Sequence, residues 1–210
     1  MINSILSPSI MTIELSTPEK IKEAARKLFS EKGYGRTTTR DIANEASVNL
    51  ALVNYHFRSK EDLFKSIMLE VVSGFAGQME VLLNDDHTFE EKVELLVANY
   101  INLITQQPDL PLFMLSELRN HPQQLAKHLD IGRIFRDASF FKELRERIPK
   151  SIHPVHYFMN ILSMTVFPFV AKPLLSVVAG LNNEQYIDLM QERKKLIPQW
   201  IMATLKSNTK

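Results

Sequence analysis

Cysteine is absent from this chain, which excludes thiol nucleophiles, cysteine-based zinc sites, disulfides and thiol redox switches. Glycine is scarce, at six residues, and none of the glycine-rich signatures of nucleotide or acyl chemistry occurs. There is no Gly-x-Gly-x-x-Gly, no phosphate loop, no Gly-x-Ser-x-Gly and no His-Glu-x-x-His. The expectation is a protein that is not an enzyme and uses no cofactor. An excess of one charge is also missing, since 25 Lys and Arg face 24 Asp and Glu for a net +1. By that global test no polyanionic partner is evident. The missing thiols fit a cytoplasmic location, and the opening MINSILSPSIMTIELST has neither the basic start nor the sustained apolar run of a secretory signal. Residues 1–16 are expected to be a flexible extension, with Met11 an alternative start. The most apolar stretch, Phe158 to Leu181, is broken by Asn160, Pro168, Lys172 and Pro173, so a buried helix is expected and a membrane span is not.

What is present is a helical pattern. With 45% hydrophobic residues over 210 positions, the chain can bury a core as one large domain or as a small module joined to a larger one. Apolar residues recur at helical spacing almost throughout, and strand-like alternation is nowhere sustained. Thr17 and Pro18 read as a cap and a first-turn proline, Ile21, Ala24, Ala25, Leu28 and Phe29 as one buried face, and Gly33 as a stop. Thr38 and Asp41 have capping-box spacing, Asn49 can cap a second short helix with Val53 inward, and Ser59 to Asp62 supplies another cap. A long stripe follows from Leu63 to Phe75. Beyond it the pattern predicts Phe89 to Gln106, Leu112 to Asn120, Gln123 to Ile148 with a break near Gly132, Val155 to Val170 and Asn183 to Lys206. The fold class is thus all-α with about nine helices: a compact unit of short helices over 17–65 and a larger helical body over 66–210.

The two short helices carry the information. An alanine in the first, Ala43, and β-branched residues Val48 and Val53 around the second are the packing pattern of a helix-turn-helix. In DNA-binding versions the outer face of the second helix enters the major groove. Here that face would present Asn49, Leu50, Ala51, Asn54 and Tyr55, with His56 at its end. Asn can pair with the N6 and N7 edge of adenine, Tyr can reach phosphate, and Ala permits close approach. Thr37, Thr38, Arg40 and Lys60 sit at helix starts where hydroxyls, amides and cations can meet phosphates.

From Ile21 to Phe64 the chain resembles the TetR/AcrR family of bacterial transcriptional regulators. The matching residues are AARKLFSEKGYGRTTTRDIANEASV and NYHFRSKEDLF. The resemblance implies a double-stranded DNA operator as partner and a homodimer formed through the last two long helices, Val155 to Val170 and Asn183 to Lys206. It also implies a small effector, expected to be largely apolar, within each helical body. Tyr100, Phe113, Met114, Phe135, Tyr157 and Phe167 are the candidate lining. Three positions depart from the usual family pattern. Ser47 stands where a turn glycine is usual, at a cost of roughly 1 kcal/mol if the backbone there is left-handed. Leu50 replaces a frequent Lys, exchanging a phosphate contact for an apolar one that suits a thymine methyl, and Ala51 replaces a frequent Gly.

Plainer readings stand beside these. Thr38, Asn49 and Ser59 cap helices with or without DNA, Tyr55 and His56 have the alternative of packing beneath the helix, and Lys60 can be a solvated charge. The charges of Gln123 to Ile148 read best as a solvated face with i to i+4 pairs. His153 and His156 lack the supporting carboxylate of a metal site, and none is expected. A ligand-independent DNA-binding scaffold that recruits a protein partner is the alternative function. The charge balance itself divides. Arg26 to Lys60 holds seven basic and three acidic residues, so a basic segment is averaged with a slightly acidic remainder.

Overall fold

The computed structural model describes residues 15–207, and every regular element among them is helical. Twelve α-helices occur where nine were expected: α1 (Thr17–Lys32), α2 (Thr39–Glu45), α3 (Leu50–His56), α4 (Lys60–Asn84), α5 (Phe89–Gln106), α6 (Leu110–Asn120), α7 (Pro122–His128), α8 (Ile131–Asp137), α9 (Ser139–Arg147), α10 (Val155–Val170), α11 (Lys172–Ala179) and α12 (Asn183–Ser207). The expected extension and the Met11 start lie outside the described residues, apart from Leu15 and Ser16. Residues up to Ile67 form one compact unit and those from Met68 another, the division falling within α4.

In the first unit, Ile21, Ala25 and Leu28 of α1 are buried with Ile42 and Ala43 of α2 and Val53 of α3. Phe29, Tyr34 and Phe64 close one side as a ring cluster with centroids 4.7 to 5.6 Å apart. The first helix is capped one residue earlier than expected. Ser16 donates both its backbone N–H and its hydroxyl to Glu19 Oε2, at 2.9 and 2.7 Å, and Thr17 is already helical. The caps expected at the later helices form as read: Asp41 N–H donates to Thr38 Oγ1 at 3.1 Å, Ala51 N–H to Asn49 Oδ1 at 2.9 Å, and Asp62 N–H to Ser59 Oγ at 3.0 Å.

The second unit is built around α5, which packs mainly on α12 and α10. Val93, Val97 and Ile101 meet a core that includes Tyr186, Met190 and Ile197. Pro168 lies inside α10 and has no N–H to donate to the carbonyl of Met164. Arg193 of α12 takes that place, donating from Nη2 at 2.8 Å and Nε at 3.3 Å. Tyr186 likewise donates to the Pro168 carbonyl at 2.5 Å. A proline that weakens one helix thereby fastens it to another.

The single helix expected from Gln123 to Ile148 is three, α7 to α9. The first break is sharper than a kink at Gly132, because Asp130 adopts a left-handed φ of 48°. The charges on this stretch pair both locally and across helices: Arg133 bonds Asp130 three residues back at 2.5 Å and Glu80 of α4 with both terminal nitrogens, and Arg147 bonds Glu90 of α5 at 2.9 Å. An additional helix, α11, follows α10 after a 72° bend. Of the described helices, α4 is long and apolar enough by composition to cross a bilayer, yet it buries a stripe of Leu63, Ile67, Met68, Val72, Met79 and Leu82 in the protein. That is the pattern of a core helix.

Candidate nucleic-acid interface

The turn between α2 and α3 is fixed by backbone geometry. Ala46 ends α2, Ser47 turns left-handed at φ 54°, and two reverse bonds close the end: Val48 N–H to the Ala43 carbonyl at 3.0 Å and Ser47 N–H to the Asn44 carbonyl at 3.1 Å. This is the Schellman closure, in which glycine is the usual left-handed residue. Ala43 and Val53 are buried at the crossing and Val48 is half-buried, so the helix-turn-helix forms on the residues expected to pack it.

With Val53 inward, a 100° step per residue turns Ala51 and Tyr55 outward and places Leu52 and Asn54 on the flanks. Tyr55 is 79% exposed and Leu52 42%, and Ala51 and Asn54 are exposed as well. The alternative in which Tyr55 packs beneath the helix is therefore corrected; His56 is half-buried, its ring edge-on to Tyr55 at 5.1 Å. Leu50, expected on the outer face, is half-buried, and the exposed leucine is Leu52. The sequence reading passed over Leu52, although the phase set by Val53 was enough to find it. Asn49 is exposed, but its carbonyl oxygen holds the Ala51 amide as the helix cap.

Two expected phosphate ligands have tasks inside the fold. Thr37 is 1% exposed, and its hydroxyl donates to the carbonyls of Leu28 and Gly33 at 3.2 and 3.0 Å, which removes its side chain from any outer surface. Lys60 is half-buried, donates from Nζ to the carbonyls of Tyr34 and Thr37, both at 2.9 Å, and lies 4.2 Å from the Tyr34 ring centre. It pins the connection after α1 to the start of α4. Thr38 is exposed, with its hydroxyl engaged by Asp41, and those bonds hold the Asp41 carboxyl below its ordinary pKa. Arg40 and Arg58 are exposed and have no ion-pair partner among the described residues. Arg36, also exposed, donates from Nε to the Lys32 carbonyl at 2.8 Å, leaving its terminal nitrogens outward.

The six candidate pocket residues of the second unit do not form one group. Tyr157 is part of the core. Phe135 stacks on Phe141 at 4.2 Å and meets Phe158 edge-on at 4.7 Å. Tyr100 meets Phe75 edge-on at 4.6 Å, and burial pushes its hydroxyl pKa up to about 12. Phe113 and Met114 are half-buried on α6. Phe167 is 61% exposed, which corrects its place in an interior pocket, because the inward face of α10 is set by Tyr157, Ile161, Thr165 and Pro168. His153 Nδ1 accepts the Val155 N–H at 3.2 Å.

Residues 21–67 match the family model described as bacterial regulatory proteins, tetR family, the same stretch that builds this helix-turn-helix. Over those residues the chain is similar to the TetR family of bacterial regulatory proteins, and that similarity supports a TetR-family regulator. The chain is a DNA-binding transcriptional regulator. Among its relatives, a probable HTH-type transcriptional regulator YttP of Bacillus subtilis is 24% identical over 203 residues, covering 93% of this chain and 97% of the relative. The fatty acid metabolism regulator protein of the same organism is 26% identical over 111 residues, 53% of this chain and 57% of its own length. Solved TetR-family structures share the fold. A regulator from Mesorhizobium loti gives a TM-score of 0.62 at 20% identity, over 90% of this chain and 96% of that one. The FadR regulator of Bacillus subtilis, in complex with stearoyl-CoA, gives 0.54 at 19%, over 85% and 96%.

Proposed function

We propose that this regulator is a homodimeric repressor that holds a palindromic operator and is released from it by a small, largely apolar effector. The observation that carries the proposal is the outer face of α3, where Ala51, Leu52, Asn54 and Tyr55 stand exposed over a packed helix-turn-helix. That face has the dimensions and chemistry of a major-groove reader, and Arg36, Arg40 and Arg58 supply cations for phosphates. Dimerisation would use α10 and α12 with the intervening α11, since Phe167, Leu174, Val177 and Val178 expose large apolar surface there, a cost that a partner subunit removes. Two recognition helices about 34 to 36 Å apart would then meet successive turns of DNA. An effector that fits a differently spaced dimer shifts the population away from DNA. The aromatic interior around Phe75, Tyr100, Phe135 and Phe158 and the stearoyl-CoA held by the FadR regulator both favour an apolar effector. The reading places the protein in the cytoplasm with no catalytic role.

A second reading, the ligand-independent scaffold that recruits a protein, draws on Leu112, Leu115 and Leu118, an exposed stripe on α6. One experiment tests the main reading. The purified full chain is mixed with sheared DNA of its source genome, and bound fragments are sequenced with and without candidate acyl ligands. A recurrent palindrome lost on adding a ligand is the expected result; a recurrent palindrome indifferent to ligands and bound by a dimer favours the scaffold, and the absence of any recurrent sequence overturns both.

A further inference from the structure

The recognition helix is unusual in what it lacks. From Leu50 to His56 there is no Arg, Lys, Asp or Glu. Arg and Lys are the side chains that bond the O6 and N7 of guanine, and Asp and Glu are those that accept from the N4 of cytosine. The charged side chains that most commonly read a G·C pair are therefore missing from this helix. Two features suited to A·T pairs are present. Asn54 is exposed and presents a donor and an acceptor side by side, as adenine N6 and N7 require. Asn49 is held as the helix cap, with its Oδ1 already accepting the Ala51 amide, so Asn54 is the freer of the two. Leu52 exposes 42% of its surface beside the methyl of Ala51, which offers carbon to the 5-methyl group of thymine. The arginines of the unit stand on other segments: Arg26 on α1, Arg36 before α2, Arg40 within it and Arg58 after α3.

We infer that α3 reads A·T pairs, with Asn54 on an adenine edge and Leu52 on a thymine methyl, so that the part of each half-site beneath this helix excludes G·C. The inference rests on the operator-binding reading above and names its sequence class. Selection from a random pool of duplexes by the full chain is the first arm. Each thymine of a selected duplex is then replaced singly by deoxyuridine, which removes only the methyl group, and binding is measured for the wild type and for Leu52→Ala. Leu52 is on the surface, and circular dichroism verifies that the variant keeps its fold. The expected result is A·T enrichment in each half-site, with one thymine whose replacement weakens the wild type about fourfold, the worth of one buried methyl, and leaves Leu52→Ala unchanged. Enriched G·C pairs beneath α3, or a deoxyuridine effect that is absent or equal in the two proteins, would overturn the inference while operator binding stands. A pool with no enriched sequence would overturn operator binding itself.

Discussion

At the scale of the residue, Ser47 is the clearest departure from an optimal helix-turn-helix. Its φ of 54° is a conformation that costs an L-residue roughly 1 to 2 kcal/mol and glycine little, although glycine returns part of that gain through its freer unfolded chain. Ser47→Gly is therefore expected to stabilise the protein by up to about 1 kcal/mol, read as a higher midpoint in urea. An unchanged or lower midpoint would show that the Ser47 side chain offsets the backbone cost. The position was legible in the sequence because the closure is local. The burial of Thr37 was not, since it depends on the Leu28 carbonyl nine residues away. Nor was the tethering of Lys60, whose two acceptors lie 26 and 23 residues back.

At the scale of the element, three helices besides α4, which has Ser59 with Asp62, begin with a side chain and a carboxylate bonded reciprocally or nearly so: Ser16 with Glu19, Thr38 with Asp41, and Thr88 with Glu91. Bonds to these caps lower the pKa of all three carboxyls. Lowered carboxyl values stabilise the folded state above the ordinary range near pH 4, and that contribution is lost as pH falls through the folded values. Stability should therefore decline as the solution is acidified below about pH 4, and Asp41→Asn should remove part of that decline while lowering stability at neutral pH. Thermal melts across the acid range read both effects, and a variant with the wild-type pH slope would contradict the assignment. Caps of this kind were readable because partners are three residues apart. The split of Gln123 to Ile148 into three helices was not, since apolar spacing continues through a left-handed Asp130, and the groups bonded beside the breaks, Glu80 to Arg133 and Leu83 and Asn84 to Ser139, belong to α4. The slip from Thr17 to Ser16 at α1 reflects two adjacent hydroxyls, only one of which has a carboxylate three residues on.

At the scale of the whole molecule, the near-neutral charge conceals a basic first unit, and the structure narrows its usable cations further. Lys27 is paired with Glu45 at 2.6 Å and Lys60 is tied to backbone carbonyls, so Arg36, Arg40 and Arg58 are the outward cations on and beside α2 and α3. If a dimer uses these from both subunits, the logarithm of affinity should fall with the logarithm of salt concentration at a slope of roughly −5. A slope near −10 in a salt titration would mean that many more phosphates are neutralised than this surface provides. The central claim, that the outer face of α3 binds the operator, is tested most directly by comparing one duplex with two proteins at one salt concentration. Asn54→Ala combined with Tyr55→Ala removes only exposed side chains, so the fold and oligomeric state should persist in circular dichroism and sedimentation. The account predicts that fluorescence anisotropy will show specific binding lost to the level of an unrelated duplex, and wild-type affinity in the double variant would contradict it.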